Sequence, residues 1–227
     1  SASTTTSAVP YGASETVVKK KLPNSVEVTL ADNSKATLNS TYLESWTGTY
    51  NETATSHVYT ANLKSNNNYE LQSGVQIQVT VPTTKTWSLS QITMSAVIEG
   101  DDDTVPGLDE EIEYAIETAL GKSVSSSSIS YDFTSGYYGA VGDTTGTYTV
   151  NLTDSEEEKL YEDGYLTDTI NYKATYGGVE YTGSIKLTMY TTDVSATFTY
   201  AGGTLASIAS RIDSMMGGKM EAIEFEE

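Results

Sequence analysis

The chain has no cysteine, which removes disulfide staples, thiolate metal sites and cysteine nucleophiles together, while leaving the compartment open. Histidine occurs once, at His57. General-base, triad and zinc chemistries all lean on histidine, so a lone one between Ser56 and Val58 in a strand-like stretch reads as a face residue rather than a catalytic centre. No stretch approaches the ~20 apolar residues of a membrane span, and no signal-peptide pattern is seen, so direct membrane insertion is not expected. Phosphate-cradling loops are missing too, because Gly202-Gly203 and Gly217-Gly218 lack the flanking pattern. Basic residues are scarce: 12 Lys and Arg stand against 31 Asp and Glu, a net charge of −19 in 227 residues. Lys19-Lys20-Lys21 is too short for a nucleic-acid patch, and the acidic excess repels nucleic acid and anionic membranes. The imbalance is also uneven. Residues 1–83 carry five basic and six acidic side chains, residues 84–227 seven and 25, which places a domain boundary near Thr83.

What the chain does have is threonine, serine and tyrosine, with 17 Tyr against 3 Phe and 2 Trp. Tyr and Thr suit half-wet sheets better than a compact enzyme core. The clearest single pattern is Ile170–Met189. Ile170, Tyr172, Ala174 and Tyr176 share one face; Tyr181, Gly183, Ile185, Leu187 and Met189 continue it after a Gly177-Gly178 turn. A period of 2 around two residues free to adopt positive φ predicts a β-hairpin with one buried face.

Upstream, Val26, Val28 and Leu30 alternate with polar residues, Ala31–Ser34 reads as a turn, and Ala36 and Leu38 resume. Trp46 falls mid-unit, His57–Ala61 reads as a strand, and Val75, Ile77, Val79 and Val81 close the unit. Short strands with a turn signal every ten or so residues predict an antiparallel sandwich over 8–83. The run SVEVTLADNSKATLNSTYLESWTGTYNETATSHVYTANL, with GVQIQVTV, resembles bacterial immunoglobulin-like domains of the group 4 kind. It departs from them at Asn33, where a turn glycine is usual, and in the Leu-Glu-Ser insertion before Trp46. The resemblance implies a sandwich that serves as a spacer or binding module on a cell surface.

Past Thr84, Trp87, Leu89, Ile92, Met94, Ala96 and Ile98 alternate, and Asp101-Asp102-Asp103 break the pattern. Leu108, Ile112, Ala115, Ile116, Ala119 and Leu120 share one helical face, with an acidic first turn and Gly121 placed to cap the end, so a helix is predicted near 107–120. Strands are predicted at Ile129–Phe133 and Thr147–Leu152, a short helix at Asp154–Tyr161, and then the hairpin. The last 35 residues repeat the start of this unit: Ser95–Gly100 is echoed by Ser195–Tyr200, the helix by Leu205, Ile208, Ala209, Ile212, Met215 and Met216, and Gly121-Lys122 by Gly218-Lys219. Ile129–Tyr131 is likewise echoed by Ile223–Phe225. The hairpin residues Tyr176, Gly177, Tyr181, Thr182, Gly183, Ile185, Leu187 and Met189 are similar to tandem repeats of large Gram-positive surface proteins that precede S-layer-homology anchoring modules. No such module is visible here, so anchorage is implied by the resemblance alone.

Four groups carry candidate chemistry. Asp101, Asp102 and Asp103, near Glu99 and Asp109, offer oxygen ligands for Ca²⁺, although their spacing fits no EF-hand and a solvated acidic loop is the reading that the mismatch favours. Otherwise no cofactor is expected. Glu156-Glu157-Glu158 with Glu162 and Asp163 would suit glycoside hydrolysis only across a sugar cleft, which the pattern does not indicate; an exposed acidic helix face is the reading. Tyr137, Tyr138, Tyr161, Tyr165, Tyr176 and Tyr181 form an aromatic-rich band, of which Tyr137, Tyr138, Tyr176 and Tyr181 are the candidate ligand-binding residues, able to stack on sugars or anchor a protein, against ordinary cross-strand pairing. The Asn-x-Ser/Thr triplets at Asn39, Asn51 and Asn151 arise readily by chance in so Thr-rich a chain.

The sequence therefore predicts a mainly β protein: a linker at 1–7, an immunoglobulin-like β-sandwich at 8–83, an α+β repeat with an antiparallel sheet and one main helix at 84–192, and the start of a second repeat, strand–helix–strand, at 193–227. The expected function is a non-enzymatic stalk or adhesion module, a piece of a longer bacterial cell-surface, S-layer-associated protein outside the cell. Its expected partners are cell-wall or host glycans or proteins and neighbouring domains of the parent chain. A carbohydrate-binding module using exposed tyrosines is the alternative, with an accessory part of a surface glycosidase behind it.

Overall fold

The computed structural model describes residues 2–65, 68–134, 136–142 and 145–192. The described residues belong to one compact unit. The second repeat expected at 193–227 lies outside the described residues.

The fold is mainly β. In chain order the strands are β1 Ser3–Thr5, β2 Val9–Pro10, β3 Ser25–Thr29, β4 Lys35–Asn39, β5 Ser56–Ala61, β6 Ile77–Thr84, β7 Thr86–Ser88, β8 Ile92–Val97, β9 Thr104–Val105, β10 Ser130–Phe133, β11 Gly139–Val141, β12 Tyr148–Val150, β13 Tyr165–Tyr176 and β14 Val179–Tyr190. The helices are α1 Glu15–Lys19, α2 Leu108–Leu120 and α3 Asp154–Asp163. No helix among the described residues is long and apolar enough to cross a membrane.

The hairpin forms as its pattern dictates. β13 and β14 pair over twelve residues from Tyr165↔Tyr190 to Tyr176↔Val179, and Gly177 (φ 58°) and Gly178 (φ 75°) make the two-residue turn. Leu166, Ile170, Tyr172, Ala174, Val179, Tyr181, Ile185, Leu187 and Met189 are buried on one face. They share a cluster with the stripe Leu108, Ile112, Ile116 and Leu120 of α2, a four-residue spacing that keeps one helix face inward. Gly121, at φ 66°, ends α2 as its cap. α3 starts with a capping box between Thr153 and Glu156 and ends at Gly164 in the same left-handed conformation.

In the first half, β6 is the central strand, its Ile77, Val79 and Val81 fully buried. β5 lies antiparallel to it, and β3 and β4 form a separate hairpin around Asn33, whose φ of 65° supplies the turn that glycine usually makes. Two elements carry no strong sequence signal. Ser3–Thr5, in the stretch read as a linker, is strand β1, and Glu15–Lys19 is a one-turn helix held by the Ser14 cap and a Glu15–Lys19 ion pair at 2.7 Å.

The two halves share one way of closing. β1 and β2 both run parallel to β6, the last strand of the first half; β7 and β8 both run parallel to β14, the last strand of the second. Each opening strand is broken by the same one-residue bulge. Thr5↔Thr80 is followed by Val9↔Thr83, and Ser88↔Thr182 by Ile92↔Ile185, so four steps face three in both. The backbone bonds correspond as well. Gln78 N–H donates to Ala2 and Glu180 N–H to Lys85, both at 2.8 Å; Thr6 N–H donates to Thr80 at 3.0 Å and Leu89 N–H to Thr182 at 2.8 Å. Only Lys85 separates β6 from β7.

Candidate functional site

The four candidate tyrosines do not converge. Tyr181 is fully buried on the inner face of β14 and belongs to the core. Tyr176 is half-buried at the turn end of the hairpin, beside Tyr11, Glu52 and Lys122. Tyr137 and Tyr138 sit in the loop before β11, Tyr137 being 77% exposed, with ring centroids 4.7 Å apart and edge to face. That loop is tied to Asp168, eight residues along β13 from Tyr176, which is roughly 27 Å at ~3.4 Å per residue.

Asp168 is the least expected feature of the interior, a carboxylate 4% exposed on the core-facing side of β13. Its Oδ1 accepts the backbone N–H of Tyr137 at 3.0 Å and of Thr169 at 2.7 Å; its Oδ2 accepts the N–H of Tyr138 at 2.9 Å and the buried hydroxyl of Tyr148. A side chain at Gly136 would run into this carboxylate, so glycine is what lets the loop approach. Burial pushes the Asp168 carboxyl up, but the four hydrogen bonds outweigh it and hold its pKa below the ordinary value. For Tyr148, burial and then the Asp168 carboxylate push the hydroxyl far above the usual tyrosine range, so it stays a donor. Asp168 thus fixes the backbone that presents Tyr137.

The hydroxyls of Tyr172 and Tyr181 are buried without a hydrogen-bond partner. Burial raises both pKa values, that of Tyr172 to about 12. A buried, unpaired hydroxyl costs free energy that its ring does not need. Tyr181→Phe is therefore expected to stabilise the protein by about 1 kcal/mol, read as a rise in the urea midpoint at unchanged slope. A loss of stability would show that the hydroxyl has a partner in solution.

Asp101, Asp102 and Asp103 lie with Glu99, Gly100 and Glu157 around a shallow depression of about 400 Å³. Two of the carboxylates are already engaged with backbone: Asp101 Oδ1 accepts Leu152 N–H at 2.7 Å, and Asp103 accepts Glu99 N–H and Thr104 N–H, both at 2.8 Å. Asp102 stands at φ 61°. Among the described residues no group of three or more acidic or histidine side chains is arranged to hold a metal ion. The loop's carboxylates fold the chain back onto β12 and α3, where the Tyr161 hydroxyl donates to the Glu99 carbonyl at 3.0 Å.

His57 is 3% exposed and stacks on Tyr50 with centroids 5.4 Å apart. Burial lowers its pKa, so it is neutral at physiological pH. On α3, Glu156 closes the capping box and the Thr153 backbone and hydroxyl bonds lower its pKa.

Tyr165 of the aromatic band has neighbours that the pattern reading does not assign to it. Tyr165, Tyr190 and Val97 are opposite one another in register across β13, β14 and β8 and are exposed by 51%, 46% and 63%. The signal was available: a two-residue Gly-Gly turn fixes the register, and that register sets Tyr165 against Tyr190.

No protein-family model matches the sequence, and no curated protein matches it. Among solved structures, the chain is similar to the human desmocollin-1 ectodomain at 12% identity and a TM-score of 0.29, covering 74% of this chain and 31% of that one. It is similar to Drosophila N-cadherin EC1-4 at 11% identity and a TM-score of 0.28, covering 83% and 47%, and to an endo-fucoidan hydrolase of glycoside hydrolase family 107 at 14% and 0.24, covering 80% and 24%. The chain thus spans about a third of the first of these and half of the second. Likenesses of this size assign neither a fold family nor an activity.

Proposed function

We propose that the protein is a non-enzymatic, load-bearing spacer or adhesion module of a bacterial cell-surface protein, working outside the cell, with residues 8–83 as its immunoglobulin-like unit. The observation that carries this reading is the parallel pairing of first and last strands in both halves. The chain enters the second half beside the start of β14, where Thr86 faces Glu180, and leaves at its end, where Val97 faces Tyr190. Tension applied through the two ends slides β7–β8 and β14 past each other and loads the ladder bonds together. An antiparallel hairpin pulled at its open end breaks them one at a time. The one-residue connection at Lys85 leaves little slack between the halves, as a spacer requires. The bacterial surface setting is supported by the sequence resemblances, and the acidic charge suits a module that must stay soluble at high local density.

Single-molecule pulling on the 1–227 chain tests this. Stretching through the ends is expected to need markedly more force than pulling through handles at positions 165 and 190, which peels β13 from β14. The first half, with five registered pairs in its clamp, is expected to yield before the second, with nine. Leu89→Pro, which removes the N–H donated to Thr182, is expected to lower the force of the second step. Equal forces in the two pulling directions would sink the load-bearing reading.

A further inference from the structure

The outer face of the long hairpin has the makings of a ligand platform that the load-bearing reading does not use. Its end row is Tyr165–Tyr190–Val97, three of the most exposed large apolar side chains among the described residues, side by side on adjacent strands. The two rings lie 6.1 Å apart at 44°. The next rows inward are Thr167–Thr188–Ser95 and Thr169–Lys186–Thr93. The Thr167 and Thr188 hydroxyls are 3.5 Å apart. Beyond them the same face dips into a polar trough of about 450 Å³ that includes Asp132, Asn171, Lys173, Thr182 and Ser184, its one carboxylate lying opposite Lys173 in register. Three rows step roughly 13 Å along the strands, two intervals of about 6.7 Å.

Charge selects the ligand. In a chain with 31 carboxylate side chains, these three rows contain none. Their single charge is Lys186, which has no ion-pair partner among the described residues and is flanked by hydroxyls on both neighbouring strands. A polyanion would meet the field of a −19 chain on approach, and a second copy would meet its own like charge. A cationic partner would find no carboxylate in these rows. A neutral polysaccharide meets none of these barriers. Its C–H faces stack on tyrosine rings, and its hydroxyls exchange hydrogen bonds with threonine hydroxyls and the lysine ammonium. We infer that the outer face of β13, β14 and β8 binds a neutral glycan chain running along the strands, anchored on Tyr165 and Tyr190 with Lys186 as its central donor.

The test is affinity electrophoresis of the 1–227 chain through native gels containing xyloglucan, yeast mannan, dextran or starch, with polygalacturonate as the polyanion. At least one neutral polymer is expected to retard the protein. The double variant Tyr165→Ala/Tyr190→Ala is expected to weaken that binding about tenfold or more, and Lys186→Gln several-fold. Tyr137→Ala/Tyr138→Ala is expected to leave it unchanged. Tyr165, Tyr190, Lys186 and Tyr137 are exposed and Tyr138 is half-buried, and thermal unfolding of each variant confirms that the fold is intact. The inference is overturned if no neutral polymer retards the protein, if polygalacturonate retards it most, or if the double variant binds as well as the parent. It is overturned equally if the double substitution converts a dimer to a monomer, since the row would then be a self-association surface. None of these outcomes bears on the pulling experiment, so the two readings fail separately.

Discussion

Asp168→Ala is expected to cost about 3–5 kcal/mol, the cost of removing one side of a buried, charged hydrogen-bond cluster. Without the carboxylate, the Tyr148 hydroxyl and the N–H groups of Tyr137 and Tyr138 lose their acceptor inside the protein. Asparagine does not rescue the site. Each carboxylate oxygen receives two donors, so whichever way the amide is turned, its NH₂ faces a backbone N–H. Most of the loss should therefore persist in Asp168→Asn, while Tyr148→Phe, which removes a single donor, should cost about 1–2 kcal/mol. The pH dependence has a definite sign. The folded pKa of Asp168 lies below that of an unfolded aspartate, about 3.9, so its contribution is fully present above that value and is lost as pH falls through the lower, folded pKa. The gap between parent and Asp168→Asn should be constant from neutral pH down to about pH 4 and close below it. Urea unfolding across that range measures it, and a gap under about 1 kcal/mol at neutral pH would show that water replaces the carboxylate and that Asp168 pins nothing.

Asp168 also marks the limit of what pattern alone reveals. The alternation Leu166, Asp168, Ile170, Tyr172 places a carboxylate at core-facing parity, a warning that it has buried partners, but the partners lie about 20 to 30 residues away and leave no local trace. The hairpin, the α2 stripe and the Gly121 cap were legible because each rests on a periodicity or a backbone conformation that few residues can supply. The parallel clamps were not. Ser3–Thr5 is short and polar, and it is a strand only because β6, more than seventy residues later, offers a ladder to it. Parallel pairing needs no turn between the partners, so nothing in the intervening sequence announces it. Of the candidate residues, Tyr181 is set by the alternation itself on one face with Ile185, Leu187 and Met189, and only the ambivalence of tyrosine keeps it among the candidate ligand-binding residues. Counting parity from Ile185, Leu187 and Met189 puts Tyr181 inside and Tyr190 outside, and the structure agrees.

Gly121 carries the second large effect, because it serves as helix cap and as seam between the halves. Its φ of 66° is costly for any residue with a Cβ, and a Cβ there would stand 2.5 Å from Val17 Cγ2 and 2.7 Å from Ser14 Oγ. Around it, Ser14 N–H donates to the Leu120 carbonyl at 2.7 Å, Gly121 N–H to Glu117 at 2.7 Å, and Lys122 pairs with Glu52. Ser14 also caps α1 through Val17 N–H, so displacing it loosens two helices together. Gly177 provides the control. It has a comparable φ of 58°, and nothing lies within 4 Å of where its Cβ would be. Gly177→Ala should register strain alone, about 1 kcal/mol, whereas Gly121→Ala should add the seam contacts and reach about 2–3 kcal/mol. Gly121→Asn separates the two causes further, since asparagine tolerates the left-handed conformation but still carries the offending Cβ. If the seam couples the halves, Gly121→Val should also split denaturant unfolding into two transitions, seen as a lower apparent slope and as probe-dependent midpoints for Trp46 in the first half and Trp87 in the second. Equal costs at Gly121 and Gly177, with a single transition retained, would mean that the halves are joined through their shared core and not through this seam.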